Sequence, residues 1–193
     1  FTPAEINQAL FDQIMGKDEV KSEEEFRSKI KEAMSKQYEA DGDFRLLIDA
    51  RQYLLNKVGK LTYPDALLKR IIKANNSDKD DKFIEENYDK SIEDLTWGLI
   101  KGQLVEAYDI KVNDDDVKEM AQLTTRMQFA QYGMTNVPEE YVEQYAEQLL
   151  KDKNQVNTLV DRCIDNKLSA AIKPVVTLNH KSVSVEEFNK LFQ

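Results

Sequence analysis

An all-α fold is predicted by three features of this sequence. Only six glycines and four prolines punctuate 193 residues, too few for the turns of an all-β plan. Apolar residues recur at i, i+3, i+4 and i+7 in successive segments, the spacing that lines one face of a helix. Finally, the stretch from Ser22 to Val58 contains no proline and a single glycine, Gly42. At about 1.5 Å per residue it would span roughly 55 Å as one helix, whereas a compact domain of this length has a radius of gyration of about 16 Å. An elongated multi-helix body is therefore expected unless that helix breaks near Gly42. A few very short extended pieces complete the expected architecture.

Each element has a local reason. Pro3 to Met15 reads as a short amphipathic helix, with Ile6, Leu10 and Ile14 on one face and Gly16 as its stop. Ser22-Glu23-Glu24-Glu25 is a capping-box pattern that opens the long helix, and Gly59 offers its end. Along the long helix Phe26, Ile30, Phe44, Leu47, Leu54 and Val58 form a near-heptad seam, interrupted at Gln37 and Arg51. Those interruptions leave the seam too short to demand a coiled-coil partner. Pro64 then opens a helix carrying Leu67, Leu68, Ile71 and Ile72. A further stripe runs from Phe83 to Tyr108, with Asn87 as a candidate break. Gly98 and Gly102 inside it predict close approach of a neighbouring backbone, because each costs about 1 kcal/mol relative to alanine.

Asn113-Asp114-Asp115-Asp116 is read as the cap of a helix from Val117 to Tyr132, with acids at its positive end and Gly133 after it. Pro138 starts the next helix, which carries Tyr141, Val142, Tyr145, Leu149 and Leu150. Asn154 is taken as the cap of another that buries Leu159, Cys163 and Leu168, closed by Pro174. Ser184-Val185-Glu186-Glu187 caps a last short helix through Phe192. The stretches 60–63, 110–112 and 175–183 read as extended and able to pair as a minimal sheet.

Composition excludes several functions. With 27 basic and 36 acidic residues the net charge is −9, which opposes unspecific nucleic-acid binding. No apolar run approaches the roughly 18 residues that span a bilayer, so no membrane partner is expected. The chain opens on Phe1 rather than methionine, which suggests a fragment or a processed product. One cysteine and one histidine rule out an internal disulfide and a His/Cys metal cluster within this chain. Asp114 to Asp116 lack the glycine and the twelfth-position glutamate of a calcium loop. His180 stands alone in an extended segment, Cys163 lies on an apolar stripe, and no glycine-rich phosphate loop is present. Neither a catalytic residue nor a cofactor is expected.

One pattern suggests binding. Met120, Met127 and Met134 recur every seven residues, with Phe129 and Tyr132 close by and Val137, Tyr141 and Tyr145 beyond Gly133. Methionine is unbranched and polarisable and re-packs against many shapes, which suits promiscuous surfaces. A buried core accounts for the same spacing, and exposure separates the two.

The order of motifs resembles the C-terminal domain of the trigger factor family. Asn7-Gln8-Ala9-Leu10-Phe11, then Ser22-Glu23-Glu24-Glu25-Phe26-Arg27, resembles its start. Tyr63-Pro64-Asp65-Ala66-Leu67-Leu68 is similar to its proline-led helix, and Gly98-Leu99-Ile100-Lys101-Gly102-Gln103-Leu104 to its glycine-containing one. Met127, Tyr132, Pro138, Val142 and Tyr145 resemble its methionine and aromatic arm segment. Val183-Ser184-Val185-Glu186-Glu187-Phe188 resembles its terminal piece.

The resemblance covers essentially the whole chain as one domain. It implies an ATP-independent holdase, with a helical body and two protruding arms enclosing a cradle for unfolded or nascent polypeptides. Met120, Met127, Phe129, Tyr132, Met134, Tyr141, Val142 and Tyr145 are the expected client contacts. The family's ribosome-tethering loop and its prolyl isomerase domain have no counterpart here. Ribosome binding and isomerase activity would thus belong to parts outside this chain. A cytoplasmic location is implied, and a homodimer is one assembly it allows. Two alternatives stay open: the helical domain of a periplasmic parvulin-type isomerase, and a helical scaffold for one folded partner.

Overall fold

The computed structural model describes residues 5–134 and 136–192, and among them it is all-helical. The helices are α1 (Gln8–Met15), α2 (Glu23–Val58), α3 (Asp65–Asn75), α4 (Asp81–Ala107), α5 (Asp114–Gln131), α6 (Glu139–Lys151), α7 (Lys153–Ile172) and α8 (Val185–Lys190), with a 3-10 turn at Lys173–Val175. No strand forms among the described residues, so the minimal sheet expected from 60–63, 110–112 and 175–183 is absent. Side chains take over its role locally: the Lys111 carbonyl accepts from the Lys167 ammonium at 2.8 Å rather than from a strand.

The caps explain most boundaries. Asn113 and Asp116 form a reciprocal capping box on α5, and Ser184 and Glu187 form another on α8, as their sequences predict. At α2 half of the box forms: Ser22 Oγ accepts from Glu25 N–H at 3.2 Å, but the Glu25 carboxylate accepts from Lys21 N–H instead of Ser22. Helix α1 begins at Gln8 because the Asn7 side chain accepts from Leu10 N–H, while Pro3 lies outside the described residues. Its covered face differs from the expected one. Phe11 is buried, whereas Ile6 and Ile14 are exposed. Helix α7 is capped by Asp152, whose Oδ1 accepts from Asn154 N–H at 2.7 Å, so Asn154 is not the cap.

Helix α2 is continuous over 36 residues, with no break at Gly42. A glycine costs about 1 kcal/mol in a helix. That is small beside the pairs Arg27–Glu23, Lys36–Glu32 and Arg45–Asp49 and the burial of Phe26 and Leu47. Phe44, expected on the seam, is exposed. Helix α4 is likewise unbroken, and Asn87 donates to the Phe83 carbonyl at 2.8 Å inside it. The predicted close approach at Gly98 and Gly102 is not found: a Cβ added at either would meet nothing within 4 Å.

The chain divides into two compact units, Phe1–Phe44 with Lys111–Ala170, and Arg45–Ile110 with Ala171–Gln193. In the first unit Phe11, Val20 and Phe26 form one apolar cluster, packed by Leu10, Met15 and Ile30. The Phe11 and Phe26 rings stack at 4.7 Å. A second cluster joins Val117 and Ala121 of α5, Ala146 of α6 and Leu159 of α7. Lys167 ties α7 to the start of α5 through Asp116 Oδ2 at 2.6 Å. The Asp116 carboxyl is held below its ordinary value, first by the Asn113 backbone N–H and then by Lys167.

The second unit has fewer covered apolar side chains, among them Leu47, Ile84 and Ile172. Helix α3 buries none of its residues. It is bound to α4 by Lys69–Glu85 at 2.6 Å, Lys73–Asp81 at 2.9 Å and the Tyr88 hydroxyl donating to Asp65 at 2.6 Å. Arg51 on α2 reaches Glu93 at 3.1 Å and Asp94 at 2.7 Å on α4.

Candidate functional site

Within the first unit, an open apolar groove of about 770 Å³ forms around the α5–α6 connection. Its geometry follows from two backbone devices. Gly133 takes φ +78°, a left-handed value that ends α5. The Met134 N–H then returns to the Phe129 carbonyl at 3.0 Å, which fixes Met134 at the groove. Pro138 starts α6, its carbonyl accepting from Tyr141 N–H at 3.0 Å. Tyr141 and Tyr145 lie one turn apart on the same face of α6. The Phe129 and Tyr145 rings meet edge to face at 5.2 Å.

The groove is lined by Gln13, Ile14, Phe129, Gly133, Met134, Asn136, Val137, Pro138, Tyr141 and Tyr145. Four of the eight residues expected to contact clients are therefore brought together: Phe129, Met134, Tyr141 and Tyr145. Met127 and Tyr132 do not line the groove but are open to solvent beside it, at 54% and 82% exposure. Met120 is half-buried and packs on the α5–α6–α7 cluster. Val142 has 0% exposure and lies in the core, so its side chain offers no contact surface in this conformation.

Helix α1 supplies two lining residues that spacing alone did not place here, Gln13 and Ile14. The Asn136 side chain donates to the Gln13 carbonyl at 3.0 Å and ties the two chain segments together. No periodicity links positions so far apart.

The lining holds no carboxylate, ammonium, imidazole or thiol. It can bury apolar side chains and accept or donate a few hydrogen bonds through Gln13, Asn136, Tyr141 and Tyr145. A second apolar concavity in the same unit, about 500 Å³, is lined by Ile6, Phe26, Ile30, Met34 and Tyr38, with Arg27 and Lys31 at its edge. Cys163 lines neither. It is 4% exposed, its thiol donates to the Asp116 carbonyl at 3.4 Å, and burial, then the Asp116 charge, pushes the thiol up.

The second unit has a concavity of similar size, about 720 Å³, with different chemistry. Gln52, Asn56, Tyr63, Asp65, Asp89 and Glu93 contribute to its walls. The hydroxyls of Tyr63 and Thr96 share a 2.8 Å hydrogen bond there. Loss of hydration and the bond to the Asp65 carboxylate push the Tyr88 phenol up to about 12.

Among the described residues no group of three or more His, Cys, Asp or Glu side chains is placed to hold a metal ion. None of the described helices is long and apolar enough to cross a membrane. Compared with curated proteins and with solved structures, the chain has no match in either. A family model described as "Probable trigger factor, C-terminal domain" does match, over residues 42–192, from within α2 through the end of α8. That span includes α5, α6 and most of the groove, and the chain belongs to this family.

Proposed function

We propose that this domain is an ATP-independent holdase that shields exposed apolar segments of unfolded and nascent polypeptides in the cytoplasm. The observation that carries the reading is the open groove at the α5–α6 connection, largely apolar and aromatic and lined by no charged side chain. Unfolded chains expose apolar side chains, and each one covered gains about 25 cal/mol per Å² removed from water. An open groove accepts many sequences because its contacts are dispersion and apolar burial rather than a fixed set of hydrogen bonds. Release needs no nucleotide: a client that buries its own apolar surface no longer competes for the groove. Phe129, Met134, Tyr141 and Tyr145 are the proposed contacts, with Met127 and Tyr132 extending the surface along the end of α5. Met120, which packs on the α5–α6–α7 cluster, and the buried Val142 are not among the proposed contacts. Isomerase activity would reside in a domain that the family match does not include.

Aggregation of several unrelated denatured proteins, followed without nucleotide and with this chain in excess, tests the reading. Suppression across most of them is expected. Suppression of none would overturn it, and one saturating complex with a single folded protein would favour a scaffold instead. Replacing Met127, Tyr132 and Tyr145 together with serine should weaken suppression several-fold while far-UV circular dichroism stays unchanged, because all three are exposed. A parallel collapse of helicity would mean that they are core.

A further inference from the structure

We propose that Met134 is an oxidation site that switches the apolar groove off: a peroxide converts its thioether to the sulfoxide, and client binding falls. The switch rests on the holdase reading and adds to it a form of control. The chain has five methionines and one cysteine. Their sulfurs differ in what an oxidant can reach. Cys163 is 4% exposed, donates its thiol to a backbone carbonyl and holds little thiolate, the form that peroxides attack. Met15 and Met120 are half-buried against the two clusters of the first unit. Met34, Met127 and Met134 are 50%, 54% and 47% exposed. The accessible redox chemistry of this chain is therefore that of thioethers. Of the three, Met134 alone lines the groove with Phe129, Tyr141 and Tyr145.

The chemistry balances with a peroxide as oxidant. A sulfur lone pair attacks one peroxide oxygen, the S–O bond forms as the O–O bond breaks, and the departing hydroxide takes up the released proton as water. Sulfur gives up two electrons and the peroxide gains them. The product is a polar, chiral group in place of a flexible apolar one. Two features make that change costly for binding and not for the fold. The side-chain donors of the lining are the amides of Gln13 and Asn136 and the hydroxyls of Tyr141 and Tyr145, and one hydrogen of the Asn136 amide already goes to the Gln13 carbonyl. An apolar client segment covering the sulfoxide would strip its hydration, and any bond regained would have to come from this short set of donors. Met134 itself is an exposed residue after the end of α5, its position fixed by the backbone bond to Phe129, so its side chain is not part of a cluster that oxidation would loosen. Sulfoxide reduction restores the thioether, which makes the switch reversible.

The experiment treats the whole chain with graded hydrogen peroxide, maps sulfoxides by peptide mass spectrometry, and measures affinity for reduced, carboxymethylated lactalbumin. Met134 should oxidise before Met15 and Met120. Affinity should fall about five- to tenfold as Met134 sulfoxide accumulates, with helicity unchanged, from the hydration that one polar group loses on burial. A pair of methionine sulfoxide reductases, one for each epimer, should restore it. In a chain that carries Met127→Leu throughout, which removes the other exposed thioether of the proposed client surface, Met134→Leu, whatever its own starting affinity, should keep that affinity through the same treatment, whereas Met34→Leu should lose it as its parent does. Unchanged affinity of the oxidised native chain would overturn the switch, as would an equal loss in Met134→Leu or a loss that tracks falling helicity. If the untreated chain does not bind the unfolded probe at all, the holdase reading fails and the switch falls with it.

Discussion

The two units of this chain solve the problem of marginal stability in different ways. The first unit covers aromatic and aliphatic side chains: Phe11 stacks on Phe26, and small alanines at 121 and 146 let α5 and α6 pack closely. The second joins its helices with polar links, from Arg51 to Glu93 and Asp94, from Lys69 to Glu85, and from Tyr63 to Thr96. Apolar burial is not weakened by charge screening, whereas exposed ion pairs weaken as counterions screen them. The groove of about 770 Å³ in the first unit is lined by no charged side chain, whereas the concavity of about 720 Å³ in the second unit carries Lys60, Asp65, Asp89 and Glu93. The client-holding role proposed for the groove needs a unit whose own apolar residues are firmly engaged, or its core would compete for the groove.

The largest expected effect tests the apolar side of that contrast. Phe26 is 7% exposed and stacked on Phe11 at 4.7 Å. Phe26→Ala should destabilise the first unit by about 3–5 kcal/mol through lost transfer energy and the cavity left behind. Amide hydrogen exchange in α1 and the first turns of α2 measures this, and the loss should be the same at low and high salt. A loss below about 1 kcal/mol would mean that the Phe11–Val20–Phe26 cluster does not anchor the unit.

A smaller effect tests the polar side. Arg51 keeps about a third of its side chain in solvent, and both of its acidic partners are more exposed. Exposed pairs contribute about 0.2–1 kcal/mol. Arg51→Ala should therefore raise exchange in α4 only slightly at low salt, and not at all near 1 M salt, where the Debye length is about 3 Å. An undiminished effect at high salt would show that the arginine acts by packing its stem, and the contrast between the units would weaken.

Much of this architecture was legible in the sequence because its signals are local. Asn113 to Asp116 and Ser184 to Glu187 carry their own hydrogen-bond partners, so the caps form wherever the rest of the chain goes. Gly133 and Pro138 likewise fix the turn that brings Phe129, Met134, Tyr141 and Tyr145 to one groove. What spacing could not reveal is which apolar face finds a cover. Helical spacing puts Ile6, Leu10 and Ile14 on one face, yet α1 begins only at Gln8, and the stack on Phe26 selects Phe11 and leaves Ile6 and Ile14 open. The seven-residue methionine period places Met120 and Met127 on one side of α5, but α7 packs only near the former. Gly98 and Gly102 predicted a close neighbour, and nothing in the structure explains why glycine stands at either.

The last and smallest effect crosses the contrast, because it places a polar link inside the apolar unit. Asp116 accepts from Asn113 N–H at 2.8 Å and from Lys167 at 2.6 Å, and its carboxyl is held below the usual 3.8. A carboxyl lowered by folding contributes stability above its unfolded value and loses it as pH falls through its folded value. Asp116→Asn should therefore be less stable than the native chain near neutral pH, and the difference should close as the solution is taken below about pH 4, into the carboxylate range. Urea unfolding at successive pH values measures the gap, and Glu187, also held low by its bonds to Ser184, serves as a comparison in the second unit. A gap that persists in acid would show that Asp116 acts as a neutral cap for α5. The link to Lys167 would then add nothing to a unit already held by its apolar clusters.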